Sequence, residues 1–317
     1  MDIGKKGVFF TLTVLGIIGV MLLFFTIQDL TRHSQHIDAV ESRVRGVDTF
    51  ISNVERDLIR GMYISGYRSL LAMNEYVVNT GDPLMDVDAS FTESFWNGTI
   101  NGQEHVVMTG SRFQDWVAKI ENEASDFNIH LDITVHDLGL VQNNTWSVYA
   151  LANMSFDVED LAHVASWSFN TTLASEISIL GLEDPLYIME GLGRLTNTIE
   201  RSPYDGNFTF MYNGTRNVSN LMAHTREGYY IANTDAPSYL QRFVDDYSGS
   251  TYGIESLVDI ELVDAQDLPV FEGSVVDYLY WHNVSTTDYR VNETPNWFRI
   301  DENHRAVYMV ESISYEE

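Results

Sequence analysis

The sequence predicts an α+β protein. An N-terminal transmembrane helix continues into a long stalk helix, followed by an ectodomain with an antiparallel β-sheet and short helices. Three observations predict this. Gly7 to Ile27 is an uncharged, mostly apolar run of 21 residues. No proline follows until Pro83, and the intervening apolar residues recur three and four apart. Residues 128–159 then alternate apolar and polar on either side of a short turn sequence.

The apolar run, "GVFFTLTVLGIIGVMLLFFTI", reaches about 30 Å as a helix, enough to cross a bilayer. A secretory signal has a shorter apolar core and a small-residue cleavage site, and "QDLTRHSQH" supplies none. Lys5 and Lys6 favour the inside of the membrane. The expected organisation is a short cytoplasmic leader (1–7), a transmembrane helix (8–27), a stalk helix (28–80) and an extracytoplasmic α+β domain (81–317). The last could form two subunits, about 81–180 and 181–317. The expected location is the cell membrane, crossed once, with the C-terminal domain extracytoplasmic.

Charge agrees with that division. Residues 1–80 hold eight basic and eight acidic side chains, and the rest hold ten and 38, so the net charge of −28 sits beyond the stalk. Such a surface repels nucleic acid and anionic lipid. No cysteine is present, which removes thiol catalysis and thiolate metal sites.

Along the stalk, Ile37, Val40, Val44, Val47, Ile51, Val54 and Leu58 form a heptad seam. The seam fits a coiled coil with a partner helix, or packing against the chain's own domain. Farther on, Gly61, Ser65, Gly66 and Ser69 place small residues near one helical face, a second packing surface. "NTGDP" ends the helix.

Residues 84–110 read as loop, and Ser111 as the cap of a short helix through Phe113, Trp116, Val117 and Ile120. "NIHLDITVH" and "TWSVYALANMSFDVE" form a long antiparallel hairpin, with Trp167 and Phe169 in a further strand. "GLEDPLY" is a turn leading into a short helix or loop near "IMEGLGRL". Asp235, ahead of Pro237, marks another helix start. "SLVDIEL" and "RAVYMV" read as short strands.

Nine Asn-x-Ser/Thr sequons lie beyond the stalk: Asn97, Asn143, Asn153, Asn170, Asn207, Asn213, Asn217, Asn283 and Asn292. They are candidate N-glycosylation sites of an exported chain. Asn143 falls at the hairpin tip and Asn153 on its polar parity. No catalytic signature is present: there is no His-Glu-x-x-His, Gly-x-Ser-x-Gly, phosphate loop or dinucleotide fingerprint. No enzyme activity and no cofactor are expected, although the abundant carboxylates would suit a structural cation such as calcium. His33 and His36 stand one helical turn apart with no third ligand placed by spacing, and His130 and His136 lie too far apart along a strand to share a site.

The basic pair and glycine before an apolar helix, residues 5 to about 60, resemble the N-terminus of archaeal type IV pilin-like proteins. That resemblance implies leader cleavage between Gly7 and Val8, and a helix that both anchors and packs in a filament. The chain departs from it at Val8 to Leu12, where many pilins carry an acidic or polar residue. "GLEDPLY", "APSYLQRF", "YGIESLVDI" and "SVVDYLYW" look like blocks of uncharacterised archaeal membrane-anchored proteins. Together they imply a glycosylated cell-surface structural protein or filament component. Its partners would be membrane lipid, copies of itself, or pilin-like envelope proteins. The alternative is an extracytoplasmic ligand-binding or sensing module that works through a membrane partner.

Overall fold

The computed structural model describes residues 4–316, with the side chains of 4–9, 11 and 30–37 outside the description. The leader's first three residues therefore lie outside it, as do the side chains of Gly7, Val8, His33, His36 and Ile37. The chain divides into two units. One comprises residues up to 56 with 121–132 and 156–169; the other comprises 57–120, 133–155 and 170–317.

Helix α1 runs from Gly4 to Thr80 as one element. It ends where expected: Gly81 turns to φ +71° and its N–H reaches Val77 O at 2.8 Å. Within it Leu12–Asp29 is long and apolar enough to cross a membrane, and none of that window is buried inside the protein. From Val47 onward the stripe turns inward: Val47, Val54 and Leu58 are buried, whereas Val40, Val44 and Ile51 are half-buried.

In the first unit Arg43 ties α1 to the chain ends around it. Its guanidinium donates to Asp160 Oδ1 at 2.6 and 2.9 Å and to the carbonyls of Phe127 and Asn128. Those hydrogen bonds hold the Asp160 carboxyl below the usual range. Phe50 meets Phe127 with ring centroids 5.8 Å apart, and Phe156 stacks on Phe169 at 5.1 Å.

The second unit holds the rest. Helix α2 (Val87–Asn97) corrects the loop expected over 84–110: Asp86 caps it, accepting from Ala89 N at 3.0 Å. The two-residue strands β1 (Thr99–Ile100) and β2 (Gln103–Glu104) pair antiparallel behind it. Helix α3 (Phe113–Ala124) is present, but Ser111 does not cap it; its hydroxyl accepts from Arg68 instead. The strands β3 (Ile129–Asn144), β4 (Ser147–Asp160) and β5 (Ser166–Ser178) form a meander in the order β3-β4-β5. Helix α1 and all three strands contribute residues to both units. The inward parity of β3 is odd at Ile129, Leu131 and Ile133 but even at Leu140.

The small stripe of α1 is the surface on which this unit closes. A Cβ on Gly66 would stand 2.5 Å from Ile177 Cδ1 and 3.6 Å from Ala150 Cβ. One on Gly61 would stand 3.1 Å from Trp116 Cγ. Ser65 and Ser69 are fully buried. A larger residue at either glycine would require the Ile177 or Trp116 side chain to move in a close-packed interior.

Beyond residue 180 short elements enclose a second core. They are α4 (Pro185–Glu190), β6 (Phe210–Tyr212), β7 (Thr215–Asn217), α5 (Ser219–Arg226), β8 (Ile231–Ala232), α6 (Tyr239–Arg242) and β9 (Ile254–Glu255). Then come α7 (Ile260–Ala265), α8 (Asp277–Trp281), β10 (Asp288–Val291), β11 (Arg299–Asp301), α9 (His304–Val307) and β12 (Ser314–Glu316). β6 pairs β7 and β8 pairs β9, while β10 is central between β11 and β12, all antiparallel. Three expectations are corrected here. "SLVDIEL" makes one antiparallel bridge, Leu257 to Val276, and then enters α7 at Ile260, capped by Asp259 on Glu261 N at 3.0 Å. "RAVYMV" becomes α9 and its exit. Ser238, not Asp235, caps α6, in a reciprocal capping box with Gln241. Runs this short carry too little period to choose between strand and helix, so tertiary surroundings choose their conformation.

Candidate functional site

Four sequence blocks that nothing in their spacing links converge on one side chain. Arg242, from "APSYLQRF", is fully buried. Its Nη1 donates to Asp184 Oδ2 at 2.5 Å, from "GLEDPLY", and to Asp277 Oδ2 at 2.9 Å, from "SVVDYLYW". Its Nη2 donates to the carbonyl of Ile254, in "YGIESLVDI". Both carboxylates are fully buried. Each is also spoken for by the backbone: Asp184 caps α4 through Leu186 N at 2.9 Å, and Asp277 accepts from Ser256 N at 3.1 Å. Hydroxyls complete the shell. Tyr230 donates to Asp184 at 2.7 Å, Ser256 donates to Asp277 at 2.9 Å, and Tyr187 meets Ser256 at 2.9 Å.

The electrostatics follow from two acids sharing one cation out of water. Burial pushes the Asp184 carboxyl up; Arg242 opposes this and the neighbouring Asp277 adds to it. Burial also raises the phenols of Tyr187 and Tyr230 well above their ordinary value, so both remain hydrogen-bond donors.

A second buried cluster begins on the strand that holds Ile254. Glu255 Oε2 accepts from Asn233 at 2.7 Å and lies 3.1 Å from His304 Nε2. His304 Nδ1 faces both oxygens of Asp301, at 2.8 and 2.9 Å, and Ser274 donates to Asp301 at 2.9 Å. Burial works against a charged imidazole here, but the bonds to Asp301 and Glu255 outweigh it and push His304 up to about 10. Burial likewise opposes the Asp301 carboxylate, and the bond from His304 brings it below the usual range. His224 is the opposite case. It is packed edge-on to Phe208 at 5.1 Å with one bond, to Ser202 Oγ at 3.0 Å, and burial lowers it to about 3.

The side chains of Arg242, Asp184 and Asp277 have no solvent exposure, so their bonds tie the elements of this core together. The network reaches the outside through two neutral side chains. Tyr187 and Asn197 line a cleft of about 380 Å³, together with Glu200, Arg226 and Asp259. Asn197 Nδ2 donates to Tyr230 at 3.0 Å, and Tyr230 in turn holds Asp184. The cleft can orient a small polar ligand through Asn197, Arg226 and Asp259.

The residues singled out in the sequence are placed as follows. Eight of the nine sequon asparagines are exposed; Asn217 is half-buried, its Oδ1 accepting from Ser219 N at 2.8 Å. Asn153 is exposed on β4, as its parity implies, and Asn143 is exposed near the end of β3, two residues short of the turn at Thr145–Trp146 rather than at the tip. His130 and His136 are both exposed on β3, and His136 meets Ser155 Oγ at 3.0 Å. Among the described residues no three His, Asp or Glu side chains are grouped to hold a metal ion. The charge network itself was missed. Its acids were lost among 46, and the one available signal was an arginine set beside Tyr239, Leu240 and Phe243 in a short helical segment. No protein-family model, curated protein or solved structure matches the chain.

Proposed function

We propose that the protein is a membrane-anchored, glycosylated structural protein of an archaeal-type cell surface, pilin-like in plan. The amino-terminal helix anchors and packs, and the acidic body faces outward. One observation carries this reading: in Leu12–Asp29 the helix is apolar on every face and unburied, while farther along it packs a stripe of small residues against strands of its own chain. A helix apolar all round is stable only in lipid or among other apolar helices. The exposed sequon asparagines and the outward negative charge support the extracytoplasmic assignment. No catalytic role is part of the reading.

Two measurements on the native protein test it. Protease added to intact cells lacking an outer barrier should remove residues 82–317; survival of that segment overturns the topology. N-terminal sequencing should begin at Val8, and an intact Met1 overturns the pilin-like version while leaving the anchor. The cleft beneath Thr196 and Glu200 favours the alternative, a ligand-binding module. Saturable binding of a small polar solute that Asn197→Leu abolishes would establish it.

A further inference from the structure

The groove between α2 and β3 shares no residue with the charge network or its cleft. It encloses about 650 Å³ and is lined in part by Asp86, Thr92, Trp96, Asn97, His136 and Asp137. Its walls are fixed by bonds that cross it. Asp88 Oδ1 accepts from Leu140 N at 2.7 Å, and Thr92 donates to Leu138 O at 3.4 Å. Glu93, also in the wall, is fully engaged: Thr99 Oγ1 and Gly102 N donate to one oxygen at 2.7 and 2.8 Å, and Asn101 N to the other at 2.9 Å. Asp86 is committed to capping α2. With these acids occupied, a bare cation is a poor occupant despite the negative lining.

What the groove does present is an indole and a sequon side by side. Trp96 is half-buried, edge-on to Phe113 at 6.1 Å, and lines the groove. Asn97 is exposed, is the last residue of α2, lines the same groove, and begins Asn97-Gly98-Thr99. A sugar joined to its amide starts on the groove rim. The C–H faces of a pyranose carry partial positive charge and suit the negative face of an indole. His136 and the exposed Asp137 supply acceptors and donors for hydroxyls.

We propose that this groove seats the first sugar residues of an N-linked glycan carried on Asn97. The proposal rests on the extracytoplasmic reading above, and it extends that reading from an accessible sequon to a built seat. Asn213 is the internal contrast: it lies exposed between β6 and β7 and lines no part of the groove.

The test uses the full chain from a host that N-glycosylates exported proteins, with occupancy read by glycopeptide mass spectrometry. Asn97 should be occupied. Amidase should release its glycan from native protein about fivefold more slowly than that of Asn213, the size of one aromatic contact, with equal rates after unfolding. Trp96→Leu should abolish the difference, and Asp137→Asn, at an exposed position, should reduce it without touching the core. Equal native rates, or a bare Asn97 beside occupied neighbours, overturn the seat. A bare Asn97 with free oligosaccharide bound in the groove also overturns it, in favour of an external glycan. Nine bare sequons on a protein exposed at the cell surface overturn the seat alone, whereas a cytosolic protein overturns the topology beneath it.

Discussion

The two halves of α1 have the same secondary structure and opposite needs. Leu12–Asp29 carries apolar side chains around its whole circumference and buries none of that window. From residue 57 to 80 the apolar residues narrow to a face, with Leu58, Met62, Leu70, Met73 and Val77 fully buried in the chain's own core. Helical hydrogen bonding satisfies the backbone equally in both halves. What differs is composition: one half is long and apolar enough to cross a membrane, and the other packs into a protein interior. A long helix therefore need not be one functional element.

That contrast can be broken from either side. The largest effect is expected from Ile18→Arg with Leu22→Arg, which add about 5 kcal/mol or more to insertion. Membrane fractionation should find the double variant in the soluble fraction, while thermal unfolding of its body is unchanged; retention in the membrane refutes a lipid span. Arg242→Met acts on the other side alone. It leaves Asp184 and Asp277 buried without their cation and should cost about 3–5 kcal/mol, read by denaturant unfolding in detergent, with membrane partition intact. Gly66→Leu sharpens the comparison within α1 itself. The added side chain meets Ile177 and Ala150 and should cost about 1–3 kcal/mol. The same change at Gly19, where nothing lies within 4 Å, should cost the body nothing.

The smallest effects are pH-dependent and confined to the body. Folding raises His304 from an ordinary 6.5 to about 10, so its contribution is complete below about 6.5 and is lost as pH rises through about 10. Asp301, lowered by the same pair, contributes above its ordinary 3.8 and loses that contribution as pH falls further. His224, lowered from 6.5 to about 3, destabilises the body progressively as pH falls below 6.5, because only the unfolded chain takes the proton. Melting temperature against pH should show both limbs. His304→Gln should flatten the alkaline limb and remove Asp301's share of the acid one, leaving the share of His224; an unchanged alkaline limb refutes the assignment.

Elements with a period were legible. The β3-β4 hairpin was legible in its alternation, although "LVQNN" continues β3 and the turn is at Thr145–Trp146, and α1 ends at Gly81 where the glycine placed it. The small stripe was legible as a close-packing surface, but not its occupants, Trp116, Ala150 and Ile177, which arrive from 50 to more than 100 residues away. Residues 84–110 misled because a helix of 11 residues capped by Asp86 offers little amphipathic signal. "SLVDIEL" and "RAVYMV" misled because apolar runs this short, with β-branched residues, satisfy strand and helix alike.

By itself the sequence determined an uncharged span of membrane length, a long helix beyond it, an alternating sheet and an acidic remainder. Each follows from local composition or from a period of two or 3.6, which the chain carries wherever it folds. Only the tertiary structure decided which of 46 acids matter. Asp184, Arg242, Glu255 and Asp277 are ordinary polar residues in sequence, and become a buried network because short elements fold them out of water together. Burial of a charge depends on partners distant along the chain, and no local pattern records it.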